Sequence, residues 1–377
     1  MWLSGAKVVL PEGVLSQASL RLEEGRVAEV RMGRVAGGLP LEGFTVVPGV
    51  VDLHGDTLER ELEPRPGVYL PLEMALEAWE ARLLGAGITT AYVAMSFWEG
   101  AAGVRAVEKS LEIVRGLRFL RGALSLDLRI HVRYEVSRPQ GEWAVRAALE
   151  EGLVHLLSLM DHTPGQGQFR DFETYVAYMS RWLGRSPEEV AQDLVPTRVA
   201  WAALEELVRE ARARGVVLAS HDDDTPERVA LMARLGVEIS EFPLTLAAAR
   251  AAWSSGLWLV MGAPNALRGG SHNGNLSALE ALQHGFLHAL ATDYHPGSAL
   301  RAAFALAERG LLPLEKGVAL VSLFPARAVG LKDRGALLPG LRGDLVVLEE
   351  KPFAVVGVFV GGKPVLLRGR FAEVWGG

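Results

Sequence analysis

Eight short apolar runs recur along the middle of this sequence, and amphipathic stretches separate most of them. That alternation constrains the fold more than any other feature. The runs are Val50–Leu53, Ile88–Ala94, Leu128–Val136, Val154–Met160, Val216–Ser220, Val237–Glu241, Trp258–Met261 and Ala289–Thr292. Leu72–Ala86 and Arg198–Arg214 are two of the helical stretches between them. Short runs that stay apolar on both faces suit strands of a parallel sheet covered by helices. Eight of them alternating with helices predict an α/β fold, the (β/α)8 TIM-type barrel. A doubly wound open sheet is the rival, and the lack of a glycine-rich dinucleotide fingerprint after the first strand counts against it.

The two chain ends read differently. Short strands at Lys7–Leu10, Ala18–Leu22, Arg26–Arg31 and Phe44–Val47 match a second set at Asp344–Leu348, Val355–Val360 and Lys363–Leu367, with Gly361–Gly362 as a hairpin turn. The expected division is a small β-sandwich made from residues 1–47 and 336–377 around a barrel of residues 48–335. Within the barrel the connection from Asp161 to Gly215 is long and predicts extra helices at Phe172–Trp182 and Pro187–Leu194. Excess loop at the catalytic face of a barrel is expected to cover substrate, and the loop Thr163–Phe169 is either part of that cover or a simple turn.

Composition removes several classes of function. A formal net charge of −6 over 377 residues leaves no basic footprint for nucleic acid. No apolar run is long enough to span a bilayer, and Met1–Gly13 lacks the apolar stretch of a signal peptide, so a cytoplasmic protein is expected. There are no cysteines. Disulfides and thiolate metal sites are therefore excluded, and any metal must be held by His, Asp and Glu.

In a barrel of this kind chemistry sits just past the C-terminal ends of the strands. Those positions hold His54-Gly55-Asp56, then Arg133 and Glu135, Asp161-His162, His221-Asp222, Pro264-Asn265 and Asp293. One strand-end histidine is usually structural. Three of them, with acids at other strand ends, would crowd like charges into a partly dry mouth, which a divalent cation, or a pair, relieves. Alternate strand residues point the same way, so His54 and Asp56 can face one ion. His155, His284 and His288 fall on apolar faces and read as structural.

A second constellation lies downstream. All three asparagines of the chain, Asn265, Asn273 and Asn275, fall within eleven residues that also hold Arg268, Ser271 and His272. A glycine-bearing loop entering a helix near Leu276 suits an anion, a phosphate above all. The plainer reading is that Asn275 caps the helix. Arg65, between Pro64 and Pro66, can present a fixed guanidinium, and Arg133 and Arg60 are further candidates. Asp222-Asp223-Asp224 reads as the start of a helix capped by Asp224 or Thr225 before Pro226, with Asp222 able to orient His221.

The segments VVPGVVDLHGD, LLGAGITTAYVA, LATDY and PGLRGDLVVLE resemble the amidohydrolase superfamily, over the whole chain. Many of its members carry His-x-His on the first strand and a carboxylated lysine on the fourth that bridges two metals. Here Asp56 replaces the second histidine, and no lysine occurs between Lys109 and Lys316. The resemblance then implies a bridging carboxylate, for which Glu135 is the choice, with His162 and His221 completing the second ion and Asp293 as catalytic base. A narrower set, DLHGDTLERELEPRPGV, HVRYEVS, LLSLMDHTPGQGQF, SHDDDT, EFPLTLAAARAA and GAPNALRGGSHNGNLSA, resembles the diphosphatase family of the carbon–phosphorus lyase route for alkylphosphonates. It implies hydrolysis of a ribose 1-methylphosphonate 5-triphosphate to the 5-phosphate and pyrophosphate. The implied cofactors are two divalent ions, zinc first, with manganese or iron as alternatives. The implied partner is that small molecule, with neither nucleic acid nor membrane, and a homodimer is an expectation for the assembly. A dipeptidase- or deacylase-like amidohydrolase and a non-catalytic member remain as other readings.

Overall fold

A computed structural model of the chain describes all residues except 166, 168–170, 184, 193–198, 200, 202–203, 272–273 and 377. Sixteen strands form two sheets among the described residues. The first five are β1 (Trp2–Leu10), β2 (Gly13–Glu23), β3 (Arg26–Met32), β4 (Leu39–Pro40) and β5 (Thr45–Pro48). The next eight are β6 (Val50–Gly55), β7 (Ile88–Phe97), β8 (Asp127–Glu135), β9 (Leu156–Met160), β10 (Val217–His221), β11 (Ile239–Glu241), β12 (Trp258–Gly262) and β13 (Ala289–Ala291). The last three are β14 (Leu345–Glu350), β15 (Phe353–Val360) and β16 (Lys363–Leu367).

Strands β6 to β13 pair in sequence order, every pair parallel. The ends meet through a parallel bridge between Gly55 and Asp293, where the Asp293 amide donates to the His54 carbonyl at 2.8 Å and the Asp56 amide to the Asp293 carbonyl at 3.1 Å. The eight expected strands are all present, each within a few residues of its expected bounds. Inside the barrel, Val51, Leu53, Tyr92, Leu156, Ala219, Ile239, Val260, Ala289 and Ala291 form one buried cluster, closed below by Ala326 and Val329 of the following segment. Two residues further along four of these strands, on the same face, stand Ser158, His221, Glu241 and Asp293. A two-residue period thus carries each strand from an apolar plug to a polar mouth. A second, larger core lies outside, where helices such as Leu72–Gly85 and Val107–Leu120 cover the barrel.

The chain ends build the other sheet, ordered β16-β15-β14-β5-β1-β2-β3 with β4 on β1. It has its own core of Leu3, Val8, Leu20, Val27, Phe44, Val46, Leu345, Val347, Phe359 and Phe371. β5 pairs antiparallel with β14, so the chain leaves this sheet for the barrel and returns beside its point of departure. The closing helix Gly369–Gly376 lays Phe371 on Phe44, with ring centroids 5.8 Å apart. Gly357 makes room for that ring: a Cβ there would sit 2.4 Å from Phe371 Cε1.

The long connection after β9 contains helices Phe172–Leu183, Pro187–Gln192 and Leu204–Ala213. Leu194 and Arg198, at the ends of two expected helices, and Phe169 of the expected loop lie outside the described residues. Tyr175, Val176, Met179 and Val190 form a small apolar cluster with Trp98. No helix among the described residues is long and apolar enough to cross a membrane.

Candidate functional site

Three of the barrel strands end on a residue with left-handed backbone: Asp222 after β10 (φ +58°), Phe242 after β11 (φ +54°) and Asp293 after β13 (φ +54°). In each, the amide still pairs with a neighbouring strand: Asp222 with the Glu241 carbonyl, Phe242 with that of Val260, Asp293 with that of His54. The ladder therefore runs one residue past β10 and β11 and two past β13, and the chain then turns sharply. Such conformations cost on the order of 1–3 kcal/mol each and gather at functional sites. Phe242 has no local polar excuse for its conformation, unlike the two aspartates.

The strands open into a cavity of about 940 Å³. His54, Asp56, Arg133, His162, His221 and Asp293 line it together, so five of the six expected metal ligands share one cavity. Glu135 is fully buried and does not reach the cavity; its carboxylate accepts from the His162 amide at 3.1 Å and lies 2.5 Å from His162 Nδ1. The His162 ring stacks on Trp98, centroids 5.2 Å apart.

The carboxylate nearest His54 and His221 is Glu241 at the end of β11, which the sequence reading passed over. Glu241 Oε1 is 3.3 Å from His54 Nδ1, and Oε2 accepts from Ser158 Oγ at 2.6 Å and lies 3.6 Å from His221 Nδ1. His131, also passed over, lies 2.7 Å from Ser158 Oγ through Nε2 and 3.0 Å from the Leu53 carbonyl through Nδ1. Both omissions had a signal. Glu241 ends the one strand whose end went unread between the fifth and the seventh, and His131 lies on the same strand face as Arg133 and Glu135.

Electrostatics follow this layering. Burial disfavours charge on Glu241, yet the surrounding imidazoles of His131 and His54 and the hydrogen bonds hold its carboxyl well below the usual range. Burial also opposes charge on His54, but Glu241 outweighs it and the imidazole is raised; Glu135 does the same for His162. His221 is lowered, chiefly by burial, and His131 is pushed down to about 3 for the same reason. Asp293 is raised to about 6 by burial and then by the Asp56 carboxylate beside it. Two buried polar atoms at the mouth, Asp56 Oδ1 and Arg133 Nε, lack a partner among the described residues, and His221 Nδ1 has only Glu241 Oε2, 3.6 Å away.

Arginines and asparagines line the same cavity: Arg65, Arg133, Arg268, Asn265 and Asn275, with Arg60 and Arg105. His272 and Asn273 lie outside the described residues. Asn265 sits in the short helix Ala263–Arg268, and its Oδ1 accepts from the Ala278 amide at 2.9 Å, tying that helix to the next. The plain reading of Asn275 as a helix cap does not hold. Ser277 caps helix Ala278–Gln283 by accepting from the Glu280 amide, because the helix starts later than Leu276. Of the acidic triplet, Thr225 caps helix Pro226–Leu235, and Asp223 is buried between the hydroxyls of Ser220 and Ser240. His155 and His288 are structural, each accepting a strand amide at Nδ1 (Ile130 and Leu259).

A parallel barrel with histidines and acids at its strand ends, carried beside a sheet from both termini, defines the amidohydrolase class. The chain belongs to the amidohydrolase family, whose sequence profile matches residues 189–357. It is 34% identical over 362 residues to the alpha-D-ribose 1-methylphosphonate 5-triphosphate diphosphatase of Escherichia coli (strain K12), covering 93% of this chain and 96% of that protein. Solved structures share the fold at lower identity. The 5-methylcytosine deaminase of Klebsiella pneumoniae matches with a TM-score of 0.67 at 16% identity, over 98% of each chain. The N-acetyl-D-glucosamine-6-phosphate deacetylase of Mycobacterium smegmatis matches at 0.66 and 20% identity, over 97% of this chain and all of the other.

Proposed function

We propose that the protein hydrolyses ribose 1-methylphosphonate 5-triphosphate to the 5-phosphate and pyrophosphate, in the cytoplasm, during alkylphosphonate breakdown. The observation that carries this reading is that one cavity is lined both by His54, His162, His221 and Asp293 and by Arg65, Arg268 and Asn275. The arginine set is more cationic than an amide substrate needs, and it matches a polyphosphate chain. The near full-length likeness to the E. coli diphosphatase supports the same substrate.

The histidine and aspartate set fits divalent cations. Its donors are imidazoles and carboxylates without thiolate, a set that suits zinc, manganese or iron. Asp56 Oδ1 is buried and unpartnered, as expected of an atom placed for a cation. His54, Asp56, His162, His221 and Asp293 would hold two such ions, zinc first. When bound they would acidify water and offset phosphate charge.

The chain's own groups account for the rest. Asp293, which burial and the Asp56 carboxylate raise to about 6 in the metal-free fold, is the group placed to take the proton. Water adds to the α-phosphorus, its proton passes to Asp293, and the bond to the bridging oxygen breaks, releasing pyrophosphate. Arg133, whose Nε is buried without a partner, reaches the transferring phosphoryl group, while Arg65 and Arg268 hold the leaving pyrophosphate.

The test is phosphorus NMR on zinc- or manganese-loaded protein given the triphosphate. Pyrophosphate should appear with wild type and fall by about 100-fold or more with Asp293→Asn. No release with any metal sinks the reading and turns attention to N-acyl amino acids and dipeptides.

A further inference from the structure

Among the described residues three histidines line the cavity, and a buried carboxylate stands behind each of them. Glu241 serves two. His54 and His221 lie nearly parallel, 19° between planes and 5.3 Å between centroids, and the Nδ1 of each is directed at Glu241, at 3.3 and 3.6 Å. Both histidines line the cavity; Glu241 does not and is fully buried. His221 Nδ1 has no other partner among the described residues, so Glu241 is the acceptor nearest to an otherwise orphaned buried nitrogen. On the far edge of the same ring, Nε2 lies 3.7 Å from Oδ2 of Asp222, a cavity residue.

We infer that Glu241 is the positioning residue of the metal centre: it fixes the Nδ1–H tautomer of both His54 and His221 and so presents both Nε2 atoms to the cavity. This deepens the metal-binding reading above and rests on it. A carboxylate behind a ligating imidazole orients the ring and raises its basicity. One carboxylate shared by two rings also sets them relative to one another, which two separate partners would not do. Ser158 donates to Oε2, and His131 bears on Ser158 from behind, so the carboxylate is itself fixed. Glu135 repeats the device once, behind His162.

His54, His131 and Glu241 also stand close enough to share an ion, their donor atoms within 4.8 Å of one another. The geometry favours support over ligation. His131 has a contact at both ring nitrogens, with the Leu53 carbonyl and with Ser158, and neither His131 nor Glu241 reaches the cavity.

The test reads metal, not turnover. Wild type, Glu241→Gln and Ser158→Ala are stripped with chelator and titrated with zinc against a chromophoric competitor. Cobalt-loaded samples give visible spectra. Glu241→Gln keeps the shape but replaces an acceptor oxygen with an amide donor. It should bind the same number of ions with about 10–100-fold weaker affinity and a shifted cobalt spectrum. Ser158→Ala should weaken binding in the same direction by a smaller factor, which keeps the inference testable if the first variant does not fold. Unchanged affinity and spectrum overturn it. Loss of one ion with the other's spectrum intact also overturns it, because Glu241 would then be a ligand. The titration contains no substrate. A protein that binds zinc but releases no pyrophosphate therefore sinks the substrate reading alone, whereas a wild type that binds no zinc overturns this inference.

Discussion

The two ends of the barrel handle charge in opposite ways. At the N-terminal end Arg334, almost wholly buried, donates to Asp127 Oδ2 at 2.5 Å, to the Thr90 hydroxyl at 2.8 Å and to Asp333 at 2.9 Å. Burial works against the Asp127 carboxylate, but Arg129 and Arg334 beside it hold its pKa below the usual range. At the C-terminal end the reverse holds. Asp293 is raised, Asp56 Oδ1 and Arg133 Nε lack partners, and three residues carry left-handed backbone. Charges matched to one another stabilise the fold; charges left unmatched inside it are held for something that is not protein. The base of the barrel is built for stability, the mouth for a ligand.

The largest effect that could break this contrast is at the base. Arg334→Met leaves Asp127 and Asp333 without their common cation. It should destabilise the protein by about 2–3 kcal/mol, less than a fully buried pair would lose because Asp127 keeps Arg129 and Asp333 is exposed, with kcat per folded molecule unchanged. Urea unfolding and turnover on the same samples check both. A variant of wild-type stability, or one that folds well but turns over slowly, would erase the division between the ends.

How much of this was legible beforehand follows the same line. The barrel strands could be read because a parallel strand buried on both faces has little choice but to be apolar, as the runs Val50–Leu53 and Ile88–Ala94 show. The mouth was legible where a strand end carries a histidine or a motif, as at His54, His162 and His221. It was not legible where two residues meet only through the closed barrel. Glu241 and His54 are 187 positions apart, and nothing local says that they touch. Glu135 looked like the natural bridging carboxylate because its strand ends in the right place; which imidazole it meets depends on the depth of each strand in the barrel, and strand depth is a tertiary quantity. Asn275 shows the opposite case, where a local rule chose the wrong cap because Ser277, two residues on, begins the helix.

The second prediction concerns the sign of a pH effect. Asp293 has its pKa raised from 3.8 to about 6 in the fold. The folded state therefore binds its proton more tightly than the unfolded chain. Its carboxylate weakens the metal-free fold fully above pH of about 6, and the penalty fades as pH falls toward the unfolded value. Asp293→Asn should then stabilise metal-free protein at pH 8, by up to about 3 kcal/mol for a shift of roughly two units, and change nothing near pH 3.5. Asp127 is the control with opposite sign. Its lowered pKa contributes stability above the unfolded value that is lost as pH falls through the folded one. Chemical melts of metal-free wild type and variant at both pH values decide it. An Asp293→Asn protein that is less stable at pH 8 would mean that the carboxylate is satisfied, and the mouth would not differ from the base.

The smallest effect lies within the mouth itself, between its rim and its floor. Arg65 is exposed, makes no ion pair among the described residues, and rides on a loop pinned from below: Glu63 accepts from the Gly67 amide at 2.8 Å and from the Val104 amide at 3.2 Å. Pro64 and Pro66 stiffen the same loop. A guanidinium held out in solvent can bind the far phosphates of a chain but cannot sense the change at the reacting phosphorus. Its contribution is then equal in ground and transition states, and Arg65→Ala should raise KM by about 10-fold with kcat little changed, at unchanged stability. Arg133, half-buried on the floor with an unpartnered Nε, should behave in the other way, with Arg133→Ala lowering kcat. Steady-state kinetics on the triphosphate separate the two. If Arg65→Ala lowers kcat instead, the loop closes onto the reacting phosphoryl group and the rim belongs with the floor.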